Sequence, residues 1–375
     1  MVKIEVVKTW KQRREFVYFP NRLYNGVKEY LPSLYSEAMA SMNPRKNFAY
    51  EFCEARFWLA KQSGKTVGRI GGIINHRANE KWNKKQMRFW QCDFIDDSEV
   101  SSALFDVVER WAGEKGCTEV AGPLGFTDLD LEGMLVDGFD ETGVFITYYN
   151  YPYYLKHLEN LGYVKDVDWV EYKMLIPEKK KDIDILARMS EFSQRVYKLH
   201  LKEFTHVRDI IDSAAPELLN LINISYRDLY STTDMDMEQG IEYFKDFEIV
   251  LNLKTSAFVY NESDEMVGFV LAIPDISGAV KKSRGKLLLF GWLRILRAIR
   301  KNDEYIALLI GVHPEYRSKG VITILLSRLM EGFMEEGAVT CRICPMLEEN
   351  SNVLSLMNIV PTEPYRRRRC LVKKI

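Results

Sequence analysis

The sequence predicts an α/β (α+β) protein built from two tandem domains, each a mixed twisted sheet flanked by helices. A strand–turn–strand pattern around Val67-Gly68 recurs around Val267-Gly268, 200 residues later. In both places a third strand, a helix and a fourth strand follow. The chain of 375 residues, 47% of them apolar, is also long enough to bury two separate cores.

In the first half, strand–turn–strand occupies residues 56–75 and the third strand 87–95. A helix is expected from Ser98, its predicted N-cap, to Gly116, and a strand over 117–121. The second half repeats the order over 257–275, 306–312, 318–337 and 339–344. Mixed α/β proteins often show this order of elements. The stronger sign of duplication is therefore that a Val-Gly pair occurs at the same place in both halves.

A charged stretch, residues 178–182, separates the two halves and precedes a helical segment over 183–201. We therefore expect a first domain over 1–180 and a second over 181–375. Each is large enough for its own core.

The composition excludes some classes of protein. With 52 Lys and Arg against 53 Asp and Glu, the net charge of −1 argues against a dedicated nucleic-acid binder. The sequence shows no leader and no apolar run of about 20 residues, which predicts a cytoplasmic protein. The six cysteines are scattered, and neither Cys341 and Cys344 nor the five histidines have metal-ligand spacing, so no metal is expected.

A basic, glycine-containing turn follows the strand that ends near Val312. It reads Val312-His-Pro-Glu-Tyr-Arg-Ser-Lys-Gly320 and continues into an amphipathic helix. Such a turn points several N–H groups and the positive end of the helix dipole at one place, which favours an anion such as pyrophosphate. Gly320 permits close approach, and Arg317 and Lys319 add charge. The alternative is an ordinary strand-to-helix turn.

This turn resembles motif A of the GCN5-related N-acetyltransferase (GNAT) superfamily, whose pattern is Arg/Gln-x-x-Gly-x-Gly/Ala after a strand. Arg317 and Gly320 match, and Ile322 stands where the family has glycine or alanine. The resemblance implies that the second domain holds the pyrophosphate of acetyl-CoA or another acyl-CoA. The residues it assigns to this cofactor are Gly311, Val312, Arg317, Ser318, Lys319, Gly320, Val321 and Ile322.

Further stretches are similar to tandem-domain bacterial acetyltransferase-like proteins of the YghO type. They include residues 43–44, 122–140, 149–154, 290–293 and 311–317, and the resemblance extends over about residues 15–368. In the first half, the turn that corresponds to motif A is acidic, at residues 93–99, and lacks arginine and glycine. We therefore expect the first domain to have lost the cofactor site and to be a structural or substrate-shaping copy.

A glycine- and tyrosine-rich segment follows in the first half. Its long loops and amphipathic rings are typical of a pocket wall, and the alternative is a packed joint between domains. The substrate-pocket candidates in this region are Glu132, Tyr149, Asn150 and Tyr153.

Residues 281–301 contain eight cations and no acid. Leu289, Trp292, Leu293, Leu296 and Ile299 are expected to form one face of a helix. Three interpretations remain open: a packing helix, a lid over an acyl chain or anionic substrate, and an interfacial membrane anchor through 285–301. The arginines at 366–369 suggest an edge strand with solvated charges, or an attraction for the 3′-phosphate of CoA.

The resemblance implies an acyl-CoA-dependent N-acyltransferase that transfers an acetyl group to an amine of a small molecule or peptide. The amine attacks directly in a ternary complex, so catalysis depends on positioning, oxyanion stabilisation and proton removal. The candidates for acid and base are His313, beside the cofactor turn, Glu349 and Asn350, which match the Glu-Asn pair of the group, and Tyr365. The rival is a non-catalytic tandem GNAT-fold protein that binds a ligand or partner.

Overall fold

The computed structural model describes residues 1–287, 290–350 and 360–375. The strands are β1 Lys3–Val6, β2 Cys53–Gln62, β3 Lys65–Asn75, β4 Gln86–Phe94, β5 Glu119–Gly122, β6 Met134–Asp137, β7 Val164–Leu175, β8 His200–Leu201, β9 Ala257–Tyr260, β10 Met266–Pro274, β11 Glu304–Val312, β12 Thr340–Leu347 and β13 Thr362–Lys374. The α-helices are α1 Trp10–Leu23, α2 Tyr35–Ser41, α3 His76–Lys81, α4 Ser98–Glu114, α5 Tyr153–Asn160, α6 Asp184–Tyr197, α7 Val207–Asp209, α8 Ala215–Tyr226, α9 Met237–Phe247, α10 Ser277–Lys282, α11 Gly291–Arg300 and α12 Val321–Glu335.

One continuous mixed sheet runs through the described part of the chain. Its strand order is β1-β2-β3-β4-β5-β13-β7-β12-β11-β10-β9-β8, and β6 pairs with β13 beside this path. The pairs β4–β5 and β11–β12 are parallel, and the other neighbours are antiparallel. Helices cover the sheet, with α12 and α6 over the second half and α4 over the first.

The internal repeat is visible in the packing of the two Val-Gly glycines. Gly68 in β3 and Gly268 in β10 are each covered by the helix that follows the next strand. A methyl group at Gly68 would lie 2.7 Å from Leu104 Cδ1, and one at Gly268 would lie 2.3 Å from Val321 Cγ1. The absence of a side chain therefore lets α4 and α12 approach the sheet in the same way. The prediction of two related mixed-sheet units is confirmed.

The two halves exchange strands at the centre of the sheet. β7, from the first half, pairs with β12, whereas β13, from the second half, lies between β5 and β7. Residues on both sides of position 180 therefore complete each other's sheets. The boundary near residue 180, which lies in a short 3-10 turn over Lys180–Ile183, remains a prediction.

The expectation of a C-terminal edge strand is wrong, because β13 is central. Arg366 and Arg368 are 2% and 0% exposed. Arg368 Nε donates to Glu171 Oε1 at 2.5 Å, and the Arg368 guanidinium also donates to the backbone oxygens of Gly133 and Tyr148. A buried carboxylate and two backbone carbonyls thus compensate the charge of Arg368, which the sequence pattern predicted to be exposed to solvent.

Within the cationic segment 281–301, residues 281–282 end α10 and residues 291–300 form α11, and both helices lie between β10 and β11 in the sequence. Ile295, Ala298 and Ile299 pack on a cluster that includes Leu34 and Val280. The expected apolar face is therefore only partly correct: Ile299 is covered, but Trp292 and Leu293 are 51% and 45% exposed. Leu289 lies outside the described residues. No helix in the described ranges has the length and apolar character needed to cross a bilayer.

Candidate active site

The parallel strands β11 and β12 separate halfway along their length. They pair only from Glu304 to Ala307 on β11, while β11 continues beside β10 to Val312. Leu308 is skipped in the register between β10 and β11, and such a bulge bends a strand away from its neighbour. An opening therefore lies between residues 308–312 of β11 and residues 344–347 of β12.

The turn at the end of β11 presents unpaired backbone donors. Within the described residues, the N–H groups of Ser318, Gly320, Val321 and Ile322 have no protein acceptor, whereas Lys319 N–H donates to Tyr316 O at 3.0 Å. Gly320 has φ +71° and is the residue just before α12. Four free donors at the positive end of a helix of 15 residues fit a pyrophosphate group.

The side chains around this turn also fit an anion. Arg317 is exposed, Lys319 Nζ lies 3.9 Å from the centre of the Tyr316 ring, and neither cation forms an ion pair with a described acidic residue. Ile322 is partly buried and packs against the core below α12. Its branched side chain therefore points toward the core, which explains how the motif accommodates it.

In the corresponding turn of the first half, carboxylate side chains of the turn itself surround the start of the helix. Asp97, not Ser98 as expected, is the N-cap of α4, and its side chain accepts the Glu99 N–H at 2.8 Å. Asp96 pairs with His157 Nε2 at 2.8 Å, and Glu99 accepts the Val2 N–H. The helix start is thus satisfied and surrounded by negative charge, which disfavours a phosphate.

Hydroxyl groups from α8 occupy the open edge of β11. Tyr226 Oη donates to Ile310 O at 2.9 Å and accepts the Ile310 N–H at 3.2 Å. Ser225 Oγ donates to Val312 O at 3.4 Å. Burial raises the pKa of Tyr226, so this phenol is protonated at neutral pH. The edge of β11 is thus accessible to a ligand that replaces these hydroxyl groups.

A small apolar pocket lies beside the bulge. Leu271 of β10 and Leu308 and Leu309 of β11 form one wall, and residues between positions 207 and 251 form the others. Its lining residues are Val207, Ile210, Ile211, Leu218, Tyr243, Phe244, Leu251, Leu271, Leu308 and Leu309. The lining is suited to a hydrocarbon group.

A loop of the first half that carries three carboxyl groups reaches the turn after α8 through Asp128. Asp128 Oδ1 accepts the Thr233 N–H at 3.4 Å, and Thr232 Oγ1 donates to Tyr226 O at 3.0 Å, so this loop contacts the turn that follows α8. Burial, and then the charges of Cys344 and Asp128, raise the pKa of Tyr243, a residue that lines the apolar pocket.

The same loop has carboxyl groups of raised pKa. Burial raises the pKa of Asp128 and Asp130, and it raises that of Glu132 well above the ordinary value. Glu132 Oε1 is buried without a hydrogen-bond partner among the described residues. Arg88, which is 2% exposed, lowers the pKa of all three and donates to Ser231 Oγ at 2.7 Å. Carboxylates with raised pKa values are suited to accept a proton near neutral pH.

The predicted acid and base residues lie in three different parts of the fold. His313 begins the turn after β11, and its Nδ1 accepts the Glu315 N–H at 3.4 Å. Glu349 and Asn350 follow β12, where the Asn350 N–H donates to Leu347 O. Tyr365 is on β13 and donates to Glu171 Oε2 at 3.0 Å. The segment 351–359 after Asn350 lies outside the described residues, and these catalytic assignments remain predictions.

The predicted pocket residues do not lie together. Tyr149 lines a polar pocket of about 530 Å³ in the first half, beside the buried Arg69–Asp93 ion pair. Asn150 binds both backbone groups of Leu135, and Tyr153 donates to Phe94 O at 2.6 Å. Neither Asn150 nor Tyr153 lines that pocket. Of the four, Glu132 is the one whose loop contacts the turn after α8, next to Tyr226.

Sequence reasoning missed Tyr226 and the pair Asp128 and Asp130. The resemblance points to residues beside the cofactor turn and after β12 as acid and base, whereas Tyr226 is at the end of α8. The spacing Asp128-x-Asp130-x-Glu132 was visible, but nothing in it showed that the loop crosses to the other half. That placement depends on strand exchange and on contacts separated by about 100 residues, such as Asp128 with Thr233.

Comparisons with known proteins agree with this architecture. Residues 215–354 match the acetyltransferase (GNAT) family. Protein YghO of Escherichia coli K12 is 25% identical over 99% of this chain and 95% of its own, and the bacterial ceramide synthase of Caulobacter vibrioides is 26% identical over 77% and 74%. A tandem GNAT protein from the clavulanic acid biosynthesis pathway shares the fold, with a TM-score of 0.58 at 10% identity over 100% of this chain and 98% of its own. The chain therefore contains a GNAT domain over residues 215–354 and shares the fold of a tandem GNAT protein, and these similarities support acyl transfer in general.

Proposed function

We propose that the chain is an N-acyltransferase that takes a long-chain acyl group from acyl-CoA and transfers it to an amine. The observation that carries this proposal is the apolar pocket beside the β11 bulge, at the opening that begins next to the unpaired N–H groups of the turn before α12. The turn suits the pyrophosphate of the donor substrate, and the pocket suits a hydrocarbon chain. A donor with only an acetyl group would leave the pocket unfilled.

The donor is held by the second half. The N–H groups of Ser318, Gly320, Val321 and Ile322 bind its pyrophosphate, and Arg317 adds charge. The pantetheine arm lies along the open edge of β11 and takes the hydrogen bonds that Tyr226 makes with Ile310. The thioester carbonyl then lies near the bulge, and the acyl chain enters the pocket.

The reaction is direct attack of a neutral amine on the thioester carbon. The new C–N bond forms, the C–S bond breaks, and the thiolate leaves. Tyr226, whose phenol is protonated because burial raises its pKa, gives its proton to the sulfur once the ligand has displaced its hydroxyl from Ile310. A carboxylate of Asp128, Asp130 or Glu132 takes the proton of the attacking nitrogen, and proton exchange through solvent restores both groups.

This assignment gives the first half a role in catalysis. It has a satisfied, acidic helix start and so does not bind the donor, but its loop supplies the base. The relative from Caulobacter vibrioides is named bacterial ceramide synthase. A long-chain amino alcohol is therefore the first acceptor to test beside simple amines and peptides.

Calorimetry with CoA thioesters of two to sixteen carbons tests the donor site. Each buried methylene contributes up to about 0.8 kcal/mol, so two more carbons strengthen binding by up to about 15-fold until the pocket is full. Free CoA thiol released in the presence of each amine then reports turnover.

A matched pair of variants tests the pocket itself. Ile211 and Ile241 are both partly buried in the same apolar cluster, but only Ile211 lines the pocket. We expect Ile211→Trp to weaken long-chain binding at least tenfold and to leave acetyl-CoA binding unchanged, and Ile241→Trp to change neither. A preference for acetyl-CoA in the native chain would refute the long-chain proposal. Binding without turnover for any amine would favour the non-catalytic rival.

A further inference from the structure

The cationic segment between β10 and β11 has an exposed aromatic and aliphatic face. Phe290, Trp292 and Leu293 are 68%, 51% and 45% exposed, while Ile295 and Ile299 on the other side of α11 pack against the protein. The eight cations of residues 281–301 form no ion pair with a described acidic side chain. The helix is thus anchored on one face and presents apolar groups beside uncompensated positive charge on the other.

This surface continues onto α1 of the first half. Lys286 Nζ lies 5.4 Å from the centre of the Tyr18 ring, and the Arg14 guanidinium lies 5.7 Å from the rings of both Tyr18 and Trp10. Trp10 is 64% exposed. Residues 7–14 add four cations and no acid. Elements from both halves therefore form one basic aromatic surface with a tryptophan on each.

The two parts of the surface are held together by the backbone. The Tyr35 N–H donates to Gly285 O at 2.8 Å, and a methyl group at Gly285 would lie 2.2 Å from Ser33 O. Gly285 has φ +72°, so a side chain there would also be strained. This tight turn holds the cationic segment against the first half at Gly285.

We propose that this basic aromatic surface, formed by residues 281–287, residues 290–301 and the first turns of α1, docks on the surface of an anionic phospholipid bilayer. Lysine and arginine attract anionic headgroups, and exposed tryptophan, phenylalanine and leucine insert at the level of the headgroups. A nucleic acid would use the charge but would leave the exposed leucine and phenylalanine in water. The combination therefore favours a lipid surface.

Flotation of the full chain with vesicles tests this directly. Vesicles of phosphatidylcholine with 30 mol% phosphatidylglycerol, at about 0.15 M salt, are compared with phosphatidylcholine alone. We expect binding to the anionic vesicles only. In Arg294→Glu/Arg297→Glu/Arg300→Glu, the partition coefficient should fall by about 100-fold or more, because each cation near such a surface strengthens binding about fivefold.

The chain offers a matched control. Lys179, Lys180 and Lys181 are all exposed on the charged stretch near the middle of the sequence, and their reversal to Glu changes the net charge by the same amount. This control should bind like the native chain. At high salt, attraction between charges is screened, and the binding that remains comes from the apolar side chains. Trp292→Ala should weaken this remaining binding.

Two results would overturn the proposal. The first is that the native chain does not float with anionic vesicles, and the second is that both triple variants lose binding equally, which would indicate a net-charge effect. Preferential binding to duplex DNA over vesicles would count against it as well. No acyl donor is present in this assay, so its failure leaves the acyltransferase proposal standing, and the failure of turnover leaves the membrane proposal standing.

Discussion

Two glycines of α12 share one backbone conformation but have different surroundings. Gly320 precedes the helix with φ +71°, and Gly337 follows it with φ +70°. A methyl group at Gly320 would lie 2.1 Å from Ser193 Oγ and 2.7 Å from Ser193 Cβ on α6, whereas one at Gly337 would meet nothing within 4 Å. The substitutions Gly320→Ala and Gly337→Ala should therefore cause the same backbone strain, but only the new methyl group of Gly320→Ala overlaps with a neighbouring side chain.

The backbone cost is about 1–2 kcal/mol for each, because a side chain in the left-handed region is strained. Overlap with Ser193 adds about 1–3 kcal/mol, since Ser193 is buried and its Cβ cannot rotate away. We thus expect Gly337→Ala to lower the free energy of unfolding by about 1–2 kcal/mol and Gly320→Ala by about 2–5 kcal/mol. Urea denaturation followed by circular dichroism measures both.

The cycle with Ser193→Gly isolates the overlap. In that background Gly320→Ala should cost only as much as Gly337→Ala, because the two clashing atoms are gone. Gly320→Ala should also weaken acyl-CoA binding in calorimetry, since relief of the overlap moves the N–H groups at the start of α12. Equal destabilisation by the two alanines in the native background would show that α6 does not pack against the turn as described.

Four further outcomes are expected. Burial raises the pKa of Glu132 above its ordinary value of 4.5, so the free energy of unfolding falls as the pH rises from 4.5 through the raised pKa. In urea denaturation at pH 8, Glu132→Gln should therefore be more stable than the native chain. Below pH 4.5 this difference should close. Arg368→Met should lower the free energy of unfolding by about 3 kcal/mol in the same assay, because the buried Glu171 carboxylate loses the Arg368 cation that compensates its charge. Asp97→Ala should cost about 1 kcal/mol through loss of a cap and leave acyl-CoA affinity unchanged in calorimetry. Tyr226→Phe should lower kcat about 100-fold without raising the Kd of the donor, and a normal kcat would remove it from the mechanism.

The sequence predicted the local parts of this fold well. The repeat around Val67-Gly68 and Val267-Gly268 correctly indicated related units, because glycine at a helix–sheet contact is a local requirement. The third strand of the first half, expected at 87–95, is β4, Gln86–Phe94. Helix α12 begins three residues later than expected, because residues 318–320 form the turn itself.

Features that depend on distant contacts were not predictable. Four consecutive arginines at 366–369 are typical of an exposed strand, and only the position of Glu171 opposite them shows that two are buried. The spacing of apolar residues predicted one face of the cationic helix. The face that packs depends instead on the positions of Leu34 and Val280, which come from other parts of the chain. The base candidates likewise depend on a loop of one half that reaches the other.

The central place of β13 has a consequence for the order in which the chain folds. β5 and β7, at residues 119–122 and 164–175, have β13 between them, and β13 follows all other described strands in the sequence. During synthesis the first half therefore holds a gap in its sheet until about 190 further residues have emerged. Contacts of such sequence separation close slowly and leave strand edges exposed in the meantime. Substitutions in the last strand should thus reduce the yield of folded protein more than their effect on stability alone would suggest.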